Sequence, residues 1–187
     1  MLAKLSALIS AALALALGLP IHAAHAGDPF VPSWIKNDPS AKSVTIELAA
    51  DWNEHLRNAE VPSRTEISDF NGYWGGGMTL WVPTGWSVKV ELSNRSKSYR
   101  HSLMLTKLYP QAQEAVWGAY TPPLEGIRPG ETVQLSFVAQ EPGSYSLACA
   151  RNVHFVEGHW IGLDIKDGLD QAVAVIQDKF VDYPGRP

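Results

Sequence analysis

The segment from Cys149 to Trp160 contains the side chains best suited to hold a metal ion. It carries one thiol, Cys149, and two imidazoles, His154 and His159, directly after the strand-like run Ser144–Ala148. Thiolate and imidazole ligands match the softness of copper, and mononuclear electron-transfer sites use a trigonal set of two histidines and one cysteine. The segment therefore predicts a loop between two strands that supplies part of a copper site, with one histidine coming from elsewhere.

His101 is the best source of that histidine. It opens the predicted strand Ser102–Leu105 and follows the polar run Asn94–Arg100. A sheet that fixes one imidazole, while a later loop supplies the other ligands, gives a preorganised site. The predicted ligands, for one copper ion per chain, are thus His101, Cys149, His154 and His159.

Three alternatives stay open at this stage. Three histidines and a cysteine also suit a closed tetrahedral zinc site, although structural zinc usually braces small domains that lack a core. His159 can instead be a surface histidine beside the site. Met78 or Met104 can supply a thioether, although Met104 lies on the opposite face of a strand from His101 and both methionines are expected in the core.

The first 26 residues have the pattern of a secretory signal peptide. Lys4 precedes an apolar run from Leu5 to Leu19, and the segment closes on Ala24-His25-Ala26, a small-x-small cleavage site. The apolar run is shorter than the roughly 20 residues that span a bilayer. We therefore expect a periplasmic or otherwise exported protein with no transmembrane span after signal removal. Retention of the segment as a membrane anchor is the alternative.

Composition excludes several classes of function. The chain has 15 basic and 19 acidic residues without a basic cluster, so a nucleic-acid partner is not expected. Its carboxylates and serines lack the paired spacing or glycine frame of a hydrolase, so no enzyme activity is predicted. Cys149 is the single cysteine and cannot form an internal disulfide. Its thiol is expected to be buried, reactive, paired with another chain or bound to a metal.

Alternation of apolar and polar residues predicts a chain built from strands. Alternation predicts the strands Val44–Leu48, Ser87–Leu92, Val133–Val138 and Ile161–Ile165, and the more continuously apolar run Met78–Val82 predicts a buried strand. Turns rich in glycine and proline separate these strands. This pattern indicates an all-β antiparallel sandwich or barrel. Apolar residues at positions 169, 173, 176 and 180 predict one short C-terminal helix over residues 169–181.

Two stretches resemble the sulfocyanin and rusticyanin group of cupredoxins. The first runs from Trp74 to Met104 and includes Gly75-Gly76-Gly77-Met78-Thr79, Val82-Pro83-Thr84-Gly85-Trp86 and His101-Ser102-Leu103. The second is Cys149-x4-His154-Phe-Val-Glu-Gly158-His159-Trp160, in register with the family pattern Cys-x4-His-Ala-x-x-Gly-Met-Trp or Phe. The likeness covers residues 66–166.

The resemblance implies a Greek-key cupredoxin domain at residues 66–187, after an N-terminal extension at residues 27–65. It implies that His101, Cys149 and His154 are copper ligands, that His154 is the more exposed histidine, and that Ser102 braces the cysteine loop. His159 stands where the family has its axial methionine, which is the main departure from the pattern.

We expect a protein that carries single electrons between redox partners such as a cytochrome or a terminal oxidase. The alternative is a copper-binding protein for copper tolerance, storage or delivery. Copper carriers often contain tracts rich in methionine or histidine. Beyond residue 26 this chain has no histidine run and no methionines besides Met78 and Met104, which favours electron transfer.

Overall fold

The computed structural model describes residues 27–52, 68–107, 114–122, 124–151, 154 and 157–177. The predicted signal peptide, residues 1–26, lies outside these ranges and stays a prediction. No helix in the described part of the chain is long and apolar enough to cross a membrane.

Strands make up most of the ordered elements in the described ranges, as the alternating apolar pattern predicts. The strands are β1 (Pro29–Phe30), β2 (Ile35–Asp38), β3 (Ser43–Trp52), β4 (Ser68–Phe70), β5 (Met78–Pro83), β6 (Ser87–Asn94), β7 (Met104–Lys107), β8 (Thr132–Val138), β9 (Gly143–Ala148), β10 (Trp160–Lys166) and β11 (Val173–Ile176). A 3-10 turn covers Val116–Gly118. The five predicted strands lie within β3, β5, β6, β8 and β10 and are confirmed.

The strands form two sheets. One sheet has the order β1-β11-β5-β10-β9-β7, and the other has the order β2-β3-β6-β8, with β4 added beside β3. Neighbouring strands are antiparallel except for two parallel pairs, β5 with β10 and β3 with β6. The expected all-β sandwich is confirmed, whereas the expected antiparallel direction is wrong for these two pairs. Alternation reports which side chains face the core and carries no information about strand direction.

The hydrophobic core includes inward-facing residues of both sheets. Alternate residues of β3 and β6 are buried, and so are Leu80, Leu147 and Leu163 of the other sheet. Met78 belongs to this core and Met104 is also buried, as predicted. Burying one large aliphatic side chain stabilises a fold by about 1.5–3 kcal/mol. The sandwich therefore has a core whose stability does not require a metal.

Residues assigned to an N-terminal extension contribute strands to both sheets. β1 pairs with β11, β2 pairs with β3, and β3 pairs in parallel with β6. β3 is thus an inner strand, and its apolar residues complete the core. The bounds of the predicted domain, residues 66–187, stay a prediction.

The predicted C-terminal helix is wrong for the part of it that the structure describes. Val173–Ile176 is the strand β11, hydrogen-bonded between β1 and β5. The apolar spacing fits a helix, but Val173, Val175 and Ile176 are β-branched and fit a sheet surface better. Pairing on both sides satisfies the backbone polar groups of this short segment. Residues 178–181 lie outside the described ranges.

Candidate metal centre

His101 is fixed by a two-way backbone bridge. Its N–H donates to the Ile127 carbonyl at 3.3 Å, and its carbonyl accepts from the Ile127 N–H at 2.8 Å. Gly126 packs so closely that a Cβ there would lie 2.6 Å from the His101 carbonyl oxygen. Because β7 begins only at Met104, His101 precedes this strand, and the bridge to Ile127 does the positioning that the strand was expected to do.

Cys149 directly follows β9 and is held by residues from two other parts of the chain. Its N–H donates to the His159 carbonyl at 3.0 Å. The Ser102 N–H donates towards the Cys149 Sγ at 3.4 Å, and the Ser102 Oγ lies 3.7 Å from the same sulfur. That hydroxyl oxygen also accepts from the Ala150 N–H at 3.0 Å. Ser102 therefore braces the start of the cysteine loop, as the resemblance implies.

His154 and His159 lie between Cys149 and β10. The His159 N–H donates to the His154 carbonyl at 2.9 Å. The His154 Nδ1 lies 3.7 Å from the Cys149 Sγ. On its other side the His159 ring reaches β4, where its Nε2 lies 2.9 Å from the Asp69 carbonyl oxygen. The backbone thus holds both histidines close to the thiol.

The fold brings the four predicted residues into one cluster. A ligand atom from each of His101, Cys149, His154 and His159 lies within 4.8 Å of the others, and all four side chains are buried. His154 is 4% exposed while the other two histidines are 0% exposed, so its ring edge is the nearest of the three to solvent. In the described ranges no other cluster of three or more histidine, cysteine or acidic side chains is placed to share an ion. This donor set is capable of binding one copper ion.

A comparison with family models matches residues 35–118 to the sulfocyanin (SoxE) domain. The matched range contains His101 and Ser102 and includes the strands β2 to β7, which belong to both sheets. The chain is similar to the sulfocyanin domain over this range. The match covers less than half of the 187 residues and ends before Cys149, so the cysteine loop lies outside it. No curated protein matches this chain in sequence.

Solved copper-protein structures are similar to this chain in fold. A multicopper oxidase from Pseudomonas thermotolerans has a TM-score of 0.51 at 15% identity, over 67% of this chain and 30% of that chain. Fet3p, a multicopper oxidase that functions in iron import, has a TM-score of 0.52 at 22% identity, over 67% and 23%. Reduced rusticyanin has a TM-score of 0.46 at 19% identity, over 75% and 89%. The chain spans less than a third of either oxidase.

The buried nitrogens of the site fit a metal ion. Both ring nitrogens of His101 and the Nδ1 of His159 are buried without a hydrogen-bond partner. Leaving a buried polar atom unsatisfied costs about 1–3 kcal/mol. An ion would use the one lone pair that each neutral imidazole offers and so remove part of this cost. Three nitrogen donors and one sulfur donor are ligands that copper accepts readily.

Burial also sets the protonation states of the four clustered residues. It is the largest cause that lowers the pKa of His101 to about 3 and the pKa of His154 to about 4, and the charge of Arg151 lowers both further. Burial holds the pKa of His159 well below its ordinary value and raises the pKa of the Cys149 thiol. At neutral pH the imidazoles are ready donors, whereas the thiol must release its proton to an incoming cation.

The contribution of β4 to the site is absent from the predictions made from the sequence. The Asp69 carbonyl contacts the His159 imidazole, and the Phe70 ring packs against it with centroids 4.0 Å apart. The run Asp69-Phe70-Asn71-Gly72 is a recognisable turn signal. Nothing in that signal connects it with a residue ninety positions later, so only the fold reveals the contact.

Proposed function

We propose that this protein is an exported electron carrier that holds one copper ion through His101, Cys149, His154 and His159. The observation that carries the proposal is the convergence of one buried thiol and three buried imidazoles within 4.8 Å. A bound copper ion supplies a one-electron redox couple in a thiolate–imidazole site. The residues of the chain hold the donor atoms, exclude water and tune that couple.

Fast electron exchange is supported by the way the donors are held. Backbone contacts position them without help from a metal: Ile127 holds His101, and Ser102 and the His159 carbonyl hold Cys149. Ligands that are locked by the surrounding structure keep nearly the same geometry in both oxidation states. Electron exchange then requires little rearrangement of the protein.

His159 is proposed as the fourth ligand, in the place of an axial methionine. A neutral imidazole is a harder and stronger donor than a thioether, so it favours Cu(II) over Cu(I). We therefore expect a green or red site rather than a blue one. Its reduction potential is expected to lie well below that of relatives with methionine at this position.

The proposed partner is a basic redox protein such as a cytochrome or a terminal oxidase. The chain has a formal net charge of −4, and an acidic surface attracts a basic partner over long range. His154 is the site histidine nearest to solvent, so electrons are proposed to leave and enter at its ring edge. Salt screens such attraction, with a Debye length of about 8 Å at physiological ionic strength.

Copper loading of the wild type and of Cys149→Ser tests the metal assignment. We expect one copper per wild-type chain and an intense visible band from thiolate-to-copper charge transfer. Replacing Cys149 removes the thiolate and therefore the band, while circular dichroism shows that the sandwich is retained because its core is independent of the metal. Persistence of the band in the variant contradicts the assignment.

Stopped-flow mixing tests the role. Reduced copper-loaded protein is expected to pass its electron to a basic cytochrome in a fast bimolecular step whose rate falls as salt is added. Copper tolerance, storage or delivery is the rival role. Electron release only over minutes to every acceptor, together with copper sensitivity of cells that lack the protein, establishes that role instead.

A further inference from the structure

We propose that the β4 turn, Ser68–Gly72, positions His159 for the metal, and that the Asn71 side chain, next to the backbone pairing of β4 with β3, fixes this turn to β3. The inference rests on the proposed function, because it takes His159 to be the fourth copper ligand. Three contacts support the inference: a hydrogen bond at the edge of the His159 imidazole, ring packing on its face, and hydrogen bonds from the Asn71 side chain to β3.

The contact with Asp69 selects one tautomer of His159. The His159 Nε2 lies 2.9 Å from the Asp69 carbonyl oxygen, and a carbonyl can only accept a hydrogen bond. The hydrogen of the neutral imidazole must therefore be on Nε2. The lone pair then belongs to Nδ1, which is buried without a hydrogen-bond partner and is available to an ion. The hydrogen bond at one ring nitrogen thus decides which nitrogen meets the metal.

Phe70 restrains the same imidazole from its face. The two ring centroids are 4.0 Å apart and the ring planes are tilted by 31°. Both side chains are fully buried, so the His159 ring cannot turn without displacing Phe70. Adjacent residues of β4 therefore hold the ring, Asp69 by a hydrogen bond and Phe70 by packing.

Asn71 clamps the β4 turn to β3. Its Oδ1 accepts from the Ala49 N–H at 2.7 Å, and its Nδ2 donates to the Glu47 carbonyl at 2.9 Å. Its own N–H donates to the Ala49 carbonyl at 3.0 Å. Asn71 has a φ of 52°, a left-handed conformation that asparagine tolerates better than most residues. The side chain therefore ties the turn to an inner strand at a backbone position where few residues fit.

The turn is also closed within itself. The Asp69 Oδ1 accepts from the Gly72 N–H at 2.7 Å, and Phe70 and Tyr73 exchange backbone hydrogen bonds of 2.9 Å in both directions. The Asp69 carbonyl therefore cannot move towards or away from His159 unless the turn shifts against β3. Asn71 opposes that shift, which makes it a positioning residue for the metal site.

Nuclear magnetic resonance of the full chain labelled with 15N tests this arrangement in the metal-free and the Cu(I)-loaded protein. Ring nitrogen shifts identify the tautomer, and the Nε2–H exchange rate reports how firmly the carbonyl is held. We expect His159 to be protonated at Nε2 in both states. In Asn71→Gly, which keeps the left-handed backbone accessible and loses both side-chain bonds, exchange is expected to be about tenfold faster.

Asn37 provides a matched control. Its side chain forms an equivalent clamp, donating to the Ala172 carbonyl at 3.0 Å and accepting from the Ala172 N–H at 2.8 Å. Asn37→Ala also loses two bonds, yet it is expected to change His159 exchange by less than about twofold because neither residue contacts the β4 turn. An equal acceleration in both variants overturns the role given to Asn71.

A wild-type His159 protonated at Nδ1, or an unchanged exchange rate in Asn71→Gly, also overturns the proposal. Should Asn71→Gly fail to fold, Asn71→Asp keeps the acceptor for Ala49 and loses only the donor to Glu47. It is expected to speed exchange by about threefold, and no change overturns the proposal in the same way. The tautomer is read without copper, so failure here is distinct from failure of electron transfer.

Discussion

Ser102→Ala is the substitution whose effects on stability and on the metal site follow most directly from the structure. The Ser102 Oγ accepts from the Ala150 N–H at 3.0 Å and lies 3.7 Å from the Cys149 Sγ. Alanine removes both contacts and keeps the backbone N–H that donates to the sulfur at 3.4 Å. The cysteine loop therefore loses its brace while the sheet contacts of residue 102 are retained.

The expected cost follows from the hydrogen bond that is lost. A neutral hydrogen bond contributes about 0.5–1.5 kcal/mol, and leaving its buried partner unpaired raises the cost towards 3 kcal/mol. Ala150 is half-buried, so water partly replaces the lost acceptor. We expect Ser102→Ala to lower the free energy of unfolding by about 1–2 kcal/mol.

Urea denaturation of the metal-free protein measures this loss. With an m value of about 2 kcal/mol/M, the midpoint of Ser102→Ala should fall by roughly 0.5–1 M. Ser146→Ala is the matched control, because the Ser146 hydroxyl is also fully buried but has no hydrogen-bond partner. Its removal is expected to be neutral or slightly stabilising.

The copper-loaded variants give a second readout. Without the Ser102 hydroxyl, more electron density stays on the Cys149 sulfur, which favours Cu(II) and lowers the reduction potential. Ser146→Ala is expected to leave the visible spectrum and the potential unchanged. Equal losses of stability in the two variants, or an unshifted midpoint and potential in Ser102→Ala, refute the bracing role.

Three further predictions concern the histidines. His159→Met should shift the copper spectrum towards blue and raise the potential in voltammetry; if both stay unchanged, His159 is not a ligand. The pKa values of about 3 for His101 and about 4 for His154 in the folded protein lie below the ordinary 6.5. At a pH between each folded value and 6.5, the unfolded chain therefore binds more protons than the folded chain. The metal-free protein should lose stability as pH falls below 6.5, by up to about 1.4 kcal/mol per pH unit for each histidine; a urea midpoint that is constant down to pH 4.5 contradicts this. Gly126→Ala should displace His101 and weaken metal binding measured by titration, whereas Gly130→Ala, with a similar positive φ and open space, controls for backbone strain alone; equal binding in both variants contradicts the prediction.

Local patterns in the sequence were sufficient for much of the fold and for a predicted set of donors. Alternation located β3, β6, β8 and β10, because period-two burial is visible in the residues of one strand alone, and a continuous apolar run located β5. The spacing of Cys149, His154 and His159 indicated a metal loop because soft and borderline ligands so close together suit few other purposes. His101 was found from its place after a polar run, although the strand itself begins at Met104.

Local patterns were misleading where pairing in the fold overrides the spacing along the chain. Apolar residues near the C-terminus have the spacing of a helix, but pairing with β5 selected the strand β11. Strand direction was likewise undetermined, because alternation looks the same in the parallel pairs β3–β6 and β5–β10 as in antiparallel ones.

The sequence by itself determined which side chains can bind copper, since ligand chemistry belongs to each residue alone. Only the tertiary structure decided how they are held. The Ile127 bridge to His101, the Ser102 contact with Cys149 and the Asp69 carbonyl at His159 join residues far apart in the chain. Such contacts depend on how the two sheets and their loops pack in three dimensions, and packing is a property of the whole fold rather than of any local segment.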